Sequence, residues 1–201
     1  MPVFCNGKQV TLKTLVADIY EDADFLQFGD ITLVLLERAD HHLIRVWDKN
    51  SKVRKDFTGF KQYPVNPDYR VEAKYTSYDT PKLTTIQDVI EIYHEVPLQG
   101  YVTFNLGGEE HRLEAMLDED GYMRLDFRDA TNGETTYIGG RFLVTEMPQK
   151  GRVIVDFNRA YNPPCAYTDY ATCPLPPREN RLPIRIEAGE KAYRNVNGHK
   201  H

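Results

Sequence analysis

The sequence has little cysteine, no concentration of one charge sign and no long apolar run, and each shortage closes off a class of protein. Three cysteines among 201 residues, an odd number in a chain without an export signal, point to reduced thiols in place of a disulfide framework, with a Cys165–Cys173 bridge as the alternative. The net charge is −5 and no block of like charges occurs, so the extended footprint of a nucleic-acid or membrane-surface protein is missing. No stretch approaches the roughly eighteen consecutive apolar residues of a membrane span. The opening MPVFCNGKQVTLKTLVADIY lacks the basic start and apolar run of a signal peptide. The expectation is a soluble, cytoplasmic protein that engages neither nucleic acid nor membrane. The metal-binding CxxC spacing is absent, as are GxGxxG, P-loop and GxSxG motifs, so no metal is expected and no cofactor is specified.

What the chain has in abundance is turn punctuation, about every eight to twelve residues, between segments that alternate polar and apolar. That pattern predicts a mainly β fold, a single antiparallel barrel or a two-sheet sandwich, because about ten strands in one open sheet would leave long edges exposed. Asn6-Gly7 suits a hairpin turn between VFC and KQVTL. ITLVLLERAD and HLIRVWD pair across Asp40-His41. YRVEAKY alternates cleanly, with Tyr69, Val71, Ala73 and Tyr75 on one face. KLTTIQDVIEIYHEV reads as a strand because its β-branched residues outweigh a weak helical spacing. From GYVTFNL through HRLEAML, YMRLDF and TTYIGGRFLVTE to RVIVDF the expectation is a meander of consecutive neighbours. Only LKTLVADIYEDADFL, with Leu12, Leu15, Val16 and Ile19 at helical spacing, predicts a short N-terminal helix. The whole reads as one domain over 1–201: hairpin and helix at 1–27, meander core at 28–157, proline-rich loop and last strand at 158–193, frayed tail at 194–201.

Residues 156–183, DFNRAYNPPCAYTDYATCPLPPRENRLP, fit neither helix nor strand. Their prolines remove backbone donors and fix φ. Three tyrosines, two cysteines and few flexible residues argue for an ordered loop, and Asp156 and Asn158 are suited to satisfy its unpaired backbone groups. The predicted role of this loop is to wall a site.

Polar residues in phase with an apolar stripe locate that site. His111 shares the phase of Leu113, Ala115 and Leu117. Asp129 follows Met123, Leu125 and Phe127, and Asp48 follows Ile44 and Val46. In FRDATNGETTYIGGRFL, Thr131 and Glu134 flank the Asn132-Gly133 turn and are placed to pair across it. Gly139-Gly140 implies a bulge or a close backbone approach that aims Arg141, and an Arg141–Asp156 ion pair is expected from their facing strand ends.

DFNRAYNPPCAYTDYATCPLPPRENRLPIRIEAGEKAY resembles the bacterial and archaeal domain-of-unknown-function family 1684. The resemblance extends back through FRDATNGETTYIGGRFL and, more weakly, FKQYPVNPDYRVEAKY and LIRVWD, covering most of residues 28–193. It implies no established reaction or cofactor. Family members often carry a further N-terminal helix and strands, which this chain lacks or replaces with residues 1–27. The family's signature concentrates on Arg128, Asp129, Thr131, Glu134, Tyr137, Arg141, Asp156, Asn158, Tyr161, Asn162, Cys165, Cys173, Glu179 and Asn180.

These readings converge on a small-molecule ligand, anionic in character, bound in a polar pocket at one end of the β framework. The candidate ligand-binding residues are Arg128, Asp129, Glu134, Tyr137, Arg141, Asp156, Asn158, Tyr161, Asn162, Cys165, Cys173, Glu179 and His111, with Arg128 or Arg141 facing the anion because a guanidinium fork suits carboxylate or phosphate. Two alternatives stand beside it: a hydrolase using Cys165 or an acidic pair with His111, and a structural domain in which the same residues only stabilise the fold. Oligomeric state is not legible.

Overall fold

The structure is a computed structural model that describes residues 1–38, 40–118 and 120–193; the tail expected to fray lies outside the described residues. The chain divides into two compact units, Met1–Thr58 and Gly59–His201, where the sequence reading drew one domain. Each unit contains one antiparallel sheet. Among the described residues no helix is long and apolar enough to cross a membrane.

In the first unit β1 (Val3–Cys5), β2 (Lys8–Val10), β3 (Phe25–Phe28), β4 (Ile31–Arg38) and β5 (His41–Asp48) form a sheet in the order β2-β1-β3-β4-β5. Asn6 and Gly7, at φ 45° and 82°, make the expected tight turn between β1 and β2. The predicted helix over 12–26 does not form. Leu12 and Ile19 are exposed, and the segment folds instead around its aspartates. Asp24 accepts from the Val16 amide at 2.9 Å and the Cys5 thiol at 3.0 Å, and Asp18 accepts from the Glu37 amide and the Arg38 guanidinium. Aspartate side chains compete for backbone donors in this way and disfavour helix. The inward stripe assigned to β5 is also corrected: Ile44 and Val46 are 53% and 56% exposed, because β5 is an edge strand and the buried residues, Val34 and Leu36, lie on the other face of its neighbour.

In the second unit β6 (Arg70–Gln87), β7 (Tyr93–Leu106), β8 (Glu109–Leu117), β9 (Met123–Arg124), β10 (Val144–Thr145) and β11 (Arg152–Asp156) lie in the order β10-β9-β8-β7-β6-β11. β6 and β7 form a long hairpin whose register shifts between Ser77 and Lys82. The segment expected to run as one strand through Asp88 turns there, because the Asp88 carboxylate accepts from the amides of Ile90 and Ile92, each at 2.9 Å. The meander holds from β6 to β10 and then breaks. β11 returns to pair with β6, setting Val153 opposite Ala73 and Val155 opposite Val71 so that both valines enter the core. β10 and β11 stand at opposite edges of the sheet and are not paired with each other among the described residues; Gln149–Arg152 bridges the turn between them and Phe142–Tyr161 the flanking segments, so the sheet does not close into the barrel that was one of the two expectations.

The phase argument holds here. His111, Leu113, Ala115, Met123, Leu125, Phe127 and Asp129 are buried, although Leu117 is exposed. The core is completed by Leu182, Ile186 and Ala188 from the last segment, each large aliphatic side chain contributing about 1.5–3 kcal/mol by burial. LPIRIEAGEK is not the predicted strand. Pro183 cannot donate and Gly189 sits at φ 72°, so the segment wraps over the sheet in irregular extended form. TTYIGGRFLVTE is strand only at Val144–Thr145. Gly140 takes φ 98°, and a Cβ there would lie 2.7 Å from the Phe127 carbonyl oxygen. Of the two readings of Gly139-Gly140, the close backbone approach is the one realised.

The tightest approach in the sheet is at Gly100 on β7. A Cβ there would meet the Thr76 carbonyl oxygen at 2.3 Å and the Ser77 Cα at 2.8 Å. Gly100→Ala is expected to cost about 1–3 kcal/mol through overpacking against backbone that cannot yield. Chemical denaturation would read this, and an unchanged midpoint would contradict the close packing of β6 on β7.

Candidate functional site

The strand end Phe127–Asp129 sends alternate side chains to opposite sides. Asp129 points inward, where one carboxylate oxygen accepts from Arg141 Nη2 at 3.1 Å. The other accepts from the Thr131 amide and hydroxyl at 3.1 and 2.7 Å and from the Ile186 amide at 2.8 Å. Arg141 is completely buried. Its Nη atoms also donate to the carbonyls of Ile186 at 2.9 Å, Glu190 at 3.4 Å and Ala188, while Nε meets no acceptor among the described residues. Burial pulls its proton affinity down while Asp129 holds it up. The expected Arg141–Asp156 pair is therefore corrected: Asp129 is the partner, because the return of β11 to β6 places Asp156 opposite Arg70.

Most other candidates also bind backbone. Asp156 caps the turn Phe157–Arg159 by accepting from the Asn158 amide at 3.1 Å. Asn158 bonds both the amide and the carbonyl of Asn66 at 2.9 Å. The Asn162 amide donates to Glu190 at 2.8 Å and its side chain to the Lys191 carbonyl at 2.8 Å. Asn180 is fully buried, and its amide group accepts from the Glu114 amide at 2.6 Å while donating to the carbonyls of Glu114 and Asp126. The β8–β9 register, Met116 opposite Arg124, would next set Glu114 opposite Asp126. There the Asn180 side chain stands in for the strand bonds, satisfying groups that would otherwise be orphaned. Tyr161 pairs with Phe142 through backbone bonds and an edge-to-face ring contact, and burial pushes its phenol up.

Five candidates take other roles. Glu134 is exposed and pairs with Arg185 at 2.6 Å in place of Thr131, whose hydroxyl is held by Asp129 and Thr136. His111 is buried against Phe104, with Nε2 3.1 Å from the Leu106 carbonyl. Cys165, Cys173 and Tyr137 share a separate buried cluster with Phe142. The Cys165–His111 and acid–His111 arrangements of the hydrolase reading are thus not assembled: each partner is engaged elsewhere.

Arg128 differs from all of these. It turns to the outer side, half buried, in a groove of about 490 Å³ roofed by Leu175–Glu179 and floored by Thr84, Gln87 and Tyr93. Its backbone is pinned by the Asn180 carbonyl at 2.8 Å and the Leu182 amide at 2.8 Å, and its Nε reaches the Gly139 carbonyl at 3.3 Å. No carboxylate pairs with it among the described residues. Burial first and Arg181 second depress its proton affinity. Glu179 lies on the rim, paired with Lys82 at 3.6 Å.

Sequence reasoning missed Glu190, which accepts from both the Asn162 amide and the Tyr167 hydroxyl at 2.8 Å. It also missed Asp126, buried beside Arg124 with contacts at 2.9 and 2.7 Å. Asp126 lies on the opposite face from the apolar stripe, so phase gives no signal. Only the prolines and Gly189, which force a wrap over that face, hint at its burial.

The family model described as a protein of unknown function (DUF1684) matches residues 55–191. The weaker resemblance at LIRVWD falls outside that match. The chain is also similar to an uncharacterized protein of Haloarcula marismortui solved in solution by NMR, with 36% identity, coverage of 69% of this chain and 78% of that one, and a TM-score of 0.57. No curated protein matches.

Burial pushes the Asp126 carboxyl up to about 6, against the pull of Arg124. Because the folded value exceeds the unfolded one, its contribution to stability is complete below about pH 4 and is lost as pH rises through about 6. Wild type is expected to lose on the order of 3 kcal/mol relative to Asp126→Asn between pH 4 and 7. Denaturation at a series of pH values measures that gap; a constant gap would mean that Asp126 is ionised throughout.

Proposed function

The chain belongs to DUF1684, a family of proteins of unknown function, and from that premise we propose that it binds a small anionic molecule, a carboxylate or a phosphate, in the groove at Arg128. The observation that carries this reading is a half-buried guanidinium with no carboxylate partner among the described residues, depressed by its surroundings and by a second cation. A cation so placed gains from an anion on two counts, relief of repulsion from Arg181 and replacement of lost solvation. Arg141, the other arginine considered for this role, is consumed by Asp129 and three carbonyls.

The rest of the groove suits the body of such a ligand. The ring of Tyr93 and the rings of Pro176 and Pro177 supply apolar walls, and Thr84, Thr85 and Gln87 supply neutral polar groups. The roof is rigid because its prolines restrict φ and its flanks are stapled: Leu175 donates to the Gln87 carbonyl at 2.8 Å and Asn180 locks its other end. A pre-ordered site loses less entropy on binding.

A thermal-shift survey of organic carboxylates and phosphates on wild type and Arg128→Gln tests this. A ligand at a hundredfold excess over its Kd stabilises by about 2.7 kcal/mol. Wild type is expected to respond to at least one class, and Arg128→Gln to lose that response while keeping its unliganded midpoint within a few degrees. A broad panel without effect on wild type, or an equal response from the variant, would refute the site.

A further inference from the structure

Cys165 and Cys173 lie together in the small cluster on Tyr137 and Phe142. Both are free thiols, 2% and 6% exposed. The Cys165 amide donates to Cys173 Sγ at 3.2 Å. The Cys165 side chain shares this cluster with the Cys173 and Tyr137 side chains and opens the turn Pro164–Ala166. The neighbouring Cys173, Tyr137 and turn amides hold the Cys165 thiol below its ordinary range despite burial, while burial pushes the Tyr137 phenol up. Cysteines that only fill space need no such polar surroundings. The third cysteine provides the contrast: Cys5 donates to Asp24 at 3.0 Å, and that bond raises its thiol.

The Cys165 backbone already touches the Cys173 sulfur, so bridging the two thiols asks for a side-chain rotation and a small closure. The covering segment between them is exposed at Asp169 and Tyr170 and belongs to no strand. It can part for a small reagent without disturbing the sheet.

We propose that Cys165 and Cys173 form a redox site whose substrate is a small hydroperoxide, with Cys165 attacking and Cys173 resolving. The Cys165 thiolate attacks the terminal peroxide oxygen, the O–O bond breaks, and the departing alkoxide or hydroxide takes up a proton from the clustered Tyr137 hydroxyl, which regains one from water. Cys165 is then a sulfenic acid. The Cys173 sulfur attacks it, the S–O bond breaks, and water leaves with the Cys173 proton as the disulfide forms. Two electrons pass from the thiol pair to the peroxide, and an external low-molecular-weight thiol returns the pair to its reduced form by exchange. The site stands whether or not an anion binds at Arg128.

The test treats the full native chain with stoichiometric hydrogen peroxide, alkylates without reductant and maps the peptides. The expected product joins the Cys165 and Cys173 peptides with the loss of two hydrogens, at a rate about tenfold or more above oxidation of Cys5. Cys173→Ser should leave Cys165 as a sulfenic acid captured by dimedone, and Cys165→Ser should abolish both products. If either variant fails to fold, the wild-type peptide map still decides. Survival of all thiols, oxidation of Cys5 at the same rate, or over-oxidation of Cys165 with no bridge would each overturn the proposal.

Discussion

The guanidinium of Arg141, shut away from solvent, is shared between the carboxylate of Asp129 and the carbonyls of Ile186, Ala188 and Glu190. A buried pair of this kind adds little net stability over a well-packed apolar substitute, but removing one partner leaves a charge where it cannot be hydrated, at roughly 3–5 kcal/mol. The interaction therefore acts as a latch. The last segment cannot lift from the sheet without exposing Leu182, Ile186 and Ala188 and leaving Asp129 without its Arg141 and Ile186 donors.

The groove follows from the latch. Asp129 and Arg128 are neighbours on one extended strand end, so fixing the first inward fixes the second outward. The same wrap that Arg141 holds delivers Asn180 to the gap between β8 and the chain after β9, and Asn180 sets the end of the roof Leu175–Glu179. Structural residues thus position an arginine that pairs with no carboxylate among the described residues. The cysteine cluster is a second product of the same segment, brought together by the turn Pro164–Ala166 and walled by Phe142.

The period-two signal made much of this legible. It identified the buried face of β6, β8 and β9 and placed Asp129 inward, and turn chemistry placed the Asn6-Gly7 reversal. The proline-rich segment reads as a loop because its prolines disfavour both regular structures. What eluded the sequence was non-local. The return of β11 to β6 depends on pairing across more than half of the second unit, and with it went the partner of Arg141. The helix expected near the N-terminus failed because Asp18 and Asp24 make better bonds to distant backbone than a helix would allow. Most of the candidate residues serve backbone groups. Polarity in a buried place signals a bond to be made, and does not say with what.

The latch is tested most directly by native-state amide exchange on wild type and Arg141→Met, following Leu182, Ile186 and Glu190 in the wrap against Val102 and Leu113 in the sheet. The account predicts that in wild type all five exchange together, and that in the variant the three wrap amides lose protection by orders of magnitude while the two sheet amides keep most of theirs. Equal protection of the wrap in both proteins would contradict it.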